Sequence, residues 1–386
     1  MSAKSVAQKL RLAVLGCGRM GQRHVYNIQH LTPRAEVIAI ADPSPTSAQW
    51  ARANWPEISY HTDPYEIFKL ENIDAVVIST STDTHGPLTL KALEANMHVL
   101  LEKPIDIDVE KSRPIVKAAE SKPGLKVAIG FVRRYDAALN QLHDLILSGT
   151  PGKPMILKST TCDAYDPSGY FVSYAKASGG IFMDCGIHDI DMARWLLGIG
   201  QPQAALRSDR SGLEPSAPDA SGLSESQAPL SSASAQVKRV YATGMIARHP
   251  ELKEQDDCDQ ALGVVEFTNG TSCTLHLSRS GMNGYESSVD VYCMEQKLSV
   301  ETPVTNHVKI ADGLGRRSEG SPKYIERMGE AFIREMNSFV ECCLDDKPVA
   351  TSPRDALEAA IIAKALTQSY RLGRAIDFDL EGNPLL

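Results

Sequence analysis

Leu10-Arg-Leu-Ala-Val-Leu15, running into Gly16-Cys-Gly18-Arg-Met-Gly21, is the stretch that decides the fold. An apolar run of strand length stops at three glycines in G-x-G-x-x-G spacing, and a helix-like segment follows. The spacing has physical reasons. Gly16 permits a tight turn, Gly18 lets backbone approach a pyrophosphate, and Gly21 lets helix and strand pack closely. The phosphates would rest on backbone N–H groups at the positive end of the helix, where Arg19 and Met20 lie. A lone glycine pattern of this kind is a weak sign. Here a second strand, Glu36-Val-Ile-Ala-Ile-Ala41, ends in Asp42, 21 residues after Gly21. An acid at that point is placed to accept the hydroxyls of a ribose, and its charge repels a 2′-phosphate. The order of strand, glycines, helix, strand and acid predicts a dinucleotide site, with NAD favoured over NADP.

Outward from this stretch, 386 residues exceed one comfortable core, so two domains are expected. A net charge of -8, with no dense basic cluster, argues against a nucleic-acid surface. No apolar run approaches the roughly 20 residues of a membrane span. The start, Met1-Ser-Ala-Lys-Ser-Val-Ala-Gln-Lys9, has no apolar core of a signal peptide. The eight cysteines form no C-x-x-C pair and no zinc spacing with histidines, so reduced thiols in a cytoplasmic protein and no metal site are expected.

The first ~130 residues alternate strand and helix, the pattern of a doubly wound parallel sheet. Ser47–Asn54, His85–Ala95 and Asp108–Ser121 read as helices. Asp74–Ser79, His98–Glu102 and Lys126–Gly130 read as strands, and Ile58–His61 is a short segment between the helix and the next strand. Tyr65-Glu-Ile-Phe-Lys69 matches a Y-x-x-x-K pattern but comes too early in the sheet to reach a nicotinamide, and reads as a surface helix. Beyond it, Leu139–Ser148 and Gly180–Leu197 read as helices, and Met155–Thr161, Val240–Ala247, Ala261–Phe267, Thr271–Leu277 and Ser288–Met294 as strands. Asn269-Gly270 is a hairpin dipeptide. Tyr324–Leu344 and Arg354–Leu372 close the chain as helices. This segregation predicts an α+β domain with a large, mostly antiparallel open sheet, giving a Rossmann domain over 1–133 and a second domain over 134–386. Ser208–Gln236 holds nine serines, three prolines and no aromatic residue, and is expected to be a disordered insertion.

Two places carry chemistry. Glu102-Lys103-Pro104 ends a parallel strand, and ligands bind outside the carboxyl ends of such strands. A lysine there can reach a substrate oxygen; standing alone it would read as a surface lysine. In Gly180–Leu197, Asp184, His188 and Asp191 fall at i, i+4 and i+7 on one helical face. Histidine suits proton exchange at neutral pH, and a carboxylate one turn earlier can orient it. A solvated face with a capping Asp is the plainer alternative.

The chain resembles the glucose–fructose oxidoreductase and inositol dehydrogenase family (Gfo/Idh/MocA). The resemblance rests on Gly16–Gly21, Asp42, Thr80–His85, Glu102-Lys103-Pro104, Gly130–Asp136 and Ser178–Asp184 with His188-Asp-Ile-Asp191. It implies Lys103, Asp184 and His188 as the catalytic group. Thr80, Ser81, Thr82, His85, Glu102 and Lys103 would lie on the nicotinamide side. Arg133 and Tyr170, with Asp184 and His188, would contact substrate, since Gly130–Asp136 and Gly169-Tyr170 are similar to inositol dehydrogenase sequences. The implied activity is NAD-dependent oxidation of a secondary hydroxyl in a cyclic polyol or sugar, inositol 2-dehydrogenase first. An aldose or dihydrodiol dehydrogenase, or a non-catalytic dinucleotide-binding regulator, is the alternative. The open sheet is implied as the face of a homo-oligomer, a dimer or tetramer. The insertion at Ser208–Gln236 departs from the family pattern.

Overall fold

The computed structural model describes residues 9–200, 235–282, 284–302, 310–313, 315–317 and 323–385. The expected insertion at Ser208–Gln236 lies outside these, apart from its last two residues. The chain divides into two units, Met1–Asp136 with Met328–Ala360, and Ala137–Arg327 with Ile361–Leu386.

In the first unit, strands β1 (Leu10–Leu15), β2 (Ala35–Ala41), β3 (Ser59–His61), β4 (Ala75–Ile78), β5 (His98–Leu101) and β6 (Val127–Ile129) form one sheet in the order β3-β2-β1-β4-β5-β6. Every pairing is parallel. Helices α1 (Arg19–Leu31), α2 (Pro45–Asn54), α3 (Thr82–Glu94) and α4 (Val109–Glu120) alternate with the strands. Both faces of such a sheet are covered, so its central strands are uninterrupted apolar runs; β4 is buried at all four positions. Order reverses at β1, whose neighbours are β2 and β4, and the glycine turn leaves β1 at that switch point. The unit also takes in Met328–Ala360, where the sequence suggested a single boundary at 133/134. Met336, Phe339 and Val340 of the helix Gly329–Leu344 pack into the core built on Leu12, Val14 and Val77. Tyr65–Lys69 lies within a 3-10 turn, Pro64–Lys69.

In the second unit, α5 (Ala137–Leu147) leads to β7 (Pro154–Ala164), and α6 (Tyr170–Ser178), α7 (Ile181–Asp184) and α8 (Gly186–Leu196) follow. Then come β8 (Val237–Met245), β9 (Gln260–Phe267), β10 (Ser272–Gly281), β11 (Glu286–Cys293), β12 (Lys297–Val300), the small pair β13 (Ile310–Asp312) and β14 (Gly315–Arg317), β15 (Ile376–Phe378) and β16 (Pro384–Leu385). Eight strands form a sheet in the order β12-β11-β7-β10-β9-β8-β15-β16, antiparallel except for β7 beside β10. Gly270, at φ +83°, makes the turn between β9 and β10. Two helices that periodicity presents as continuous are broken. Gly180–Leu197 divides between α7 and α8, and Tyr324–Leu344 divides at Met328. At the first break a side chain on Gly186 would come within 2.8 Å of Leu277 Cδ1, so glycine lets the helix backbone lie close on β10. No helix among the described residues is long and apolar enough to cross a membrane.

Candidate active site

Two of the three glycines in the turn are required by the backbone geometry itself. Gly16 sits at φ +86°, and a Cβ on it would lie 2.5 Å from Ser79 O. A Cβ on Gly21 would lie 1.9 Å from Gly16 O, so only glycine lets α1 start against the turn. A Cβ on Gly18 would meet nothing within 4 Å, which leaves open space over the start of α1. Gly18 is also the N-cap, and it offers no side-chain cap to the helix. Arg19 and Met20 form the first turn of α1. This is what a pyrophosphate requires: positive helix end, clear approach and backbone donors. The Asp42 carboxylate accepts from Cys17 N–H at 2.6 Å and from Ser44 N–H at 2.8 Å, fixing the acid at the end of β2. Each oxygen keeps a further lone pair for a ribose hydroxyl. These residues fit a dinucleotide.

At the end of β5, Glu102-Lys103-Pro104 is held from several sides. His24 Nε2 of α1 meets Glu102 Oε1 at 2.9 Å, and His24 is 1% exposed. Burial pushes the Glu102 carboxyl up, but the His24 bond and the nearby charges of His24, Lys103 and His85 outweigh it and hold it below its ordinary value. Gly130 clears room: a Cβ there would lie 2.9 Å from Glu102 Oε2. His85 is buried, its Nδ1 2.8 Å from Pro104 O and its Nε2 3.2 Å from Thr80 O. Burial lowers its pKa against those two contacts, and the ring bridges the loops that carry Thr80 and Pro104. Thr80 accepts at Oγ1 from Thr84 at 2.7 Å; Ser81 stands at the N-cap position of α3 without a side-chain cap bond, and Thr82 begins the helix. Arg133 is buried in the turn Val132–Tyr135.

In the second unit Asp184 ends α7 and His188 lies in the first turn of α8. The intervening Cys185 keeps helical backbone angles (φ -88°, ψ -54°), so the break preserves the one-turn spacing. Asp189 is fully buried; Ser159 and Thr161 of β7 donate to it and tie α8 to the sheet. Asp191 is also fully buried. Tyr170 opens α6.

Sequence reading missed Arg279 of β10. It is 3% exposed and donates from Nη2 to Asp184 Oδ2 at 2.8 Å, while Nη1 lies 3.5 Å from Asp163 Oδ2 of β7. Its guanidinium stands 4.8 Å from the centre of the Phe171 ring, a cation–π contact. Burial opposes its charge, yet Cys185, Asp184 and Asp163 around it outweigh that and keep it protonated. Arg279 lies 95 positions from Asp184, and nothing local in Ser278-Arg-Ser280 marks it.

Residues 10–131 match a family model described as an oxidoreductase family with an NAD-binding Rossmann fold, and residues 143–378 match that family's C-terminal alpha/beta domain. The chain belongs to the Gfo/Idh/MocA oxidoreductase family. It is 31% identical to a scyllo-inositol 2-dehydrogenase (NAD(+)) of Bacillus subtilis, over 97% of this chain and 97% of that one. It is likewise 31% identical to an inositol 2-dehydrogenase of Saccharopolyspora erythraea, over 98% of each chain. Among solved structures, a myo-inositol dehydrogenase from Corynebacterium glutamicum aligns with a TM-score of 0.80 at 26% identity, covering 96% of this chain and 99% of that one. The chain is thus an NAD-binding oxidoreductase with a parallel Rossmann sheet and a mostly antiparallel second sheet.

Proposed function

We propose that this oxidoreductase is an inositol 2-dehydrogenase, oxidising a secondary hydroxyl of a cyclic polyol. The observation that carries the reading is the full-length likeness to a scyllo-inositol 2-dehydrogenase in a chain that has Lys103, Asp184 and His188 at the family's motif positions. The glycine turn, Asp42, Thr80, Ser81, Thr82 and Glu102 would hold NAD, which accepts the hydride. His188 takes the hydroxyl proton as general base, a role worth roughly 10²–10⁴-fold in rate. The ammonium of Lys103 stabilises the charge growing on the carbinol oxygen, worth roughly 3–4 kcal/mol for one well-placed donor. Asp184, acceptor-only while charged, receives a substrate hydroxyl. Arg133 and Tyr170 are assigned to substrate contacts on the same reading.

Free thiols at all eight cysteines suit a reducing compartment, and we assign the protein to the cytoplasm. The second sheet's exposed face carries Ile156, Tyr241, Leu262 and Val264, with Tyr241 paired to Val264 across β8 and β9. The exposed apolar cluster of Tyr241, Leu262 and Val264 on β8 and β9 supports a homo-oligomer formed through this face.

His188→Asn and Lys103→Met test the site. Both should cut kcat for inositol oxidation at least a hundredfold, and NADH binding by fluorescence should survive His188→Asn. Wild-type kcat should rise with pH as an imidazole loses its proton, and that limb should vanish in His188→Asn. Near-normal kcat with the limb intact in His188→Asn would place the base elsewhere.

A further inference from the structure

Asp184 has a partner that the catalytic reading does not use. Arg279 reaches it from β10, buried to 3% exposure, with the 2.8 Å bond to Asp184 Oδ2 and the 3.5 Å approach to Asp163 Oδ2. We infer that Arg279 is a positioning residue for the polyol reaction, acting through Asp184: it fixes the carboxylate's orientation and keeps it an anion that can only accept hydrogen bonds. The inference rests on the assignment of Asp184 to the substrate.

Three observations carry it. The guanidinium is immobilised, with Phe171 of α6 on its face and two carboxylates at its edge. Its planar donor fork sets direction as well as charge, which a lysine ammonium would not do. It also holds the short α7 in place at its last residue, one turn before His188, so an error in Asp184 would be felt where the proton is taken. The charged and titratable groups facing this pair come from every neighbouring element. Asp163 comes from β7, Cys185 from the α7–α8 junction and Tyr174 from α6, while Asp257 precedes β9. Cys185 Sγ donates to Asp163 Oδ2 at 3.3 Å, so Asp163 is held as well. Burial first, then the charge of Asp184, pushes the Tyr174 hydroxyl up to about 12, leaving it a neutral donor. An anionic Asp184 beside a cation that cannot be deprotonated has no proton to exchange; the proton transfer is left to His188.

Arg279→Lys and Arg279→Met, alone and with Asp184→Asn, test this. Arg279→Lys keeps a buried charge and guards against a variant that fails to fold. The expected result is an unchanged NADH affinity with kcat/KM for scyllo-inositol down about a hundredfold, the order of loss for an angstrom-scale misplacement. The acid limb of kcat/KM, set by His188, should move to higher pH in Arg279→Met, because Asp184 one turn away is no longer offset by a cation and favours the imidazolium. Arg279→Lys combined with Asp184→Asn should be no slower than Asp184→Asn alone. Wild-type kcat/KM and pH profile in the arginine variants, with Asp184→Asn impaired, would overturn the inference. So would additive losses in the double variant. A silent Asp184→Asn would instead remove the reading of Asp184 itself, and this inference with it.

Discussion

Individual residues settle protonation at this site, and two carboxylates, Glu102 and Glu335, show it in opposite directions. Glu102 is held ionised by His24 and by nearby cations. Glu335, on the helix Gly329–Leu344, is 1% exposed, and among the described residues neither of its oxygens has a hydrogen-bond partner. Burial, and then the charge of Glu102, pushes its pKa well up and favours its protonated form. An unfolded Glu loses that proton near about pH 4.3. Between there and its raised native value, folding takes up a proton, so this residue makes the native state less stable as pH rises through the window. Glu335→Gln should therefore raise Tm at about pH 8 and leave it nearly unchanged at about pH 4. Thermal melts showing the same offset at both pH values would refute the assignment. Neither Glu335 nor Arg279 was legible in the sequence. Glu335 reads as one more charge on an amphipathic helix, and its burial comes from elements far away in sequence that pack on that helix, the turn Val132–Tyr135 and α1. Asp184 and His188 were legible because one turn of helix puts them on one face.

At the scale of elements, most Rossmann strands were readable because β1, β2, β5 and β6 are apolar runs ended by glycine or an acid, and β4 is one ended by Ser79. Periodicity cannot see a helix break, so Cys185 and Met328 went unread; their causes lie in β10 and in packing, not in local sequence. The β1–α1 turn gives a prediction that separates fold from binding. Gly18→Ala puts a methyl into open space, so Tm should hold while NADH affinity falls at least tenfold. Gly21→Ala drives a methyl into the Gly16 carbonyl, so stability and NADH binding should both fall. Overpacking of that kind costs about 1–3 kcal/mol or more. Equal losses of Tm in the two variants, measured by calorimetry, would contradict the account of the glycines.

For the whole molecule, the order of elements disclosed a parallel and a mostly antiparallel sheet, but not that Met328–Ala360 joins the first unit. That return depends on which apolar face of a late helix fits which core, and a sequence pattern leaves the choice open. The second sheet's exposed face makes its own prediction. Leu262→Asp, at 54% exposure on β9, should leave Tm unaltered and shift light-scattering mass to the monomer. A mass unchanged by this substitution would place any interface elsewhere. The central claim concerns chemistry, and one measurement reaches it most directly. The purified wild-type protein is offered scyllo-inositol, myo-inositol and a panel of aldoses with NAD, and nicotinamide reduction is followed by absorbance. Saturable NADH formation is predicted with an inositol, at a kcat/KM above that for any aldose and with NAD preferred to NADP. Tight NADH binding without turnover of any inositol would contradict the account.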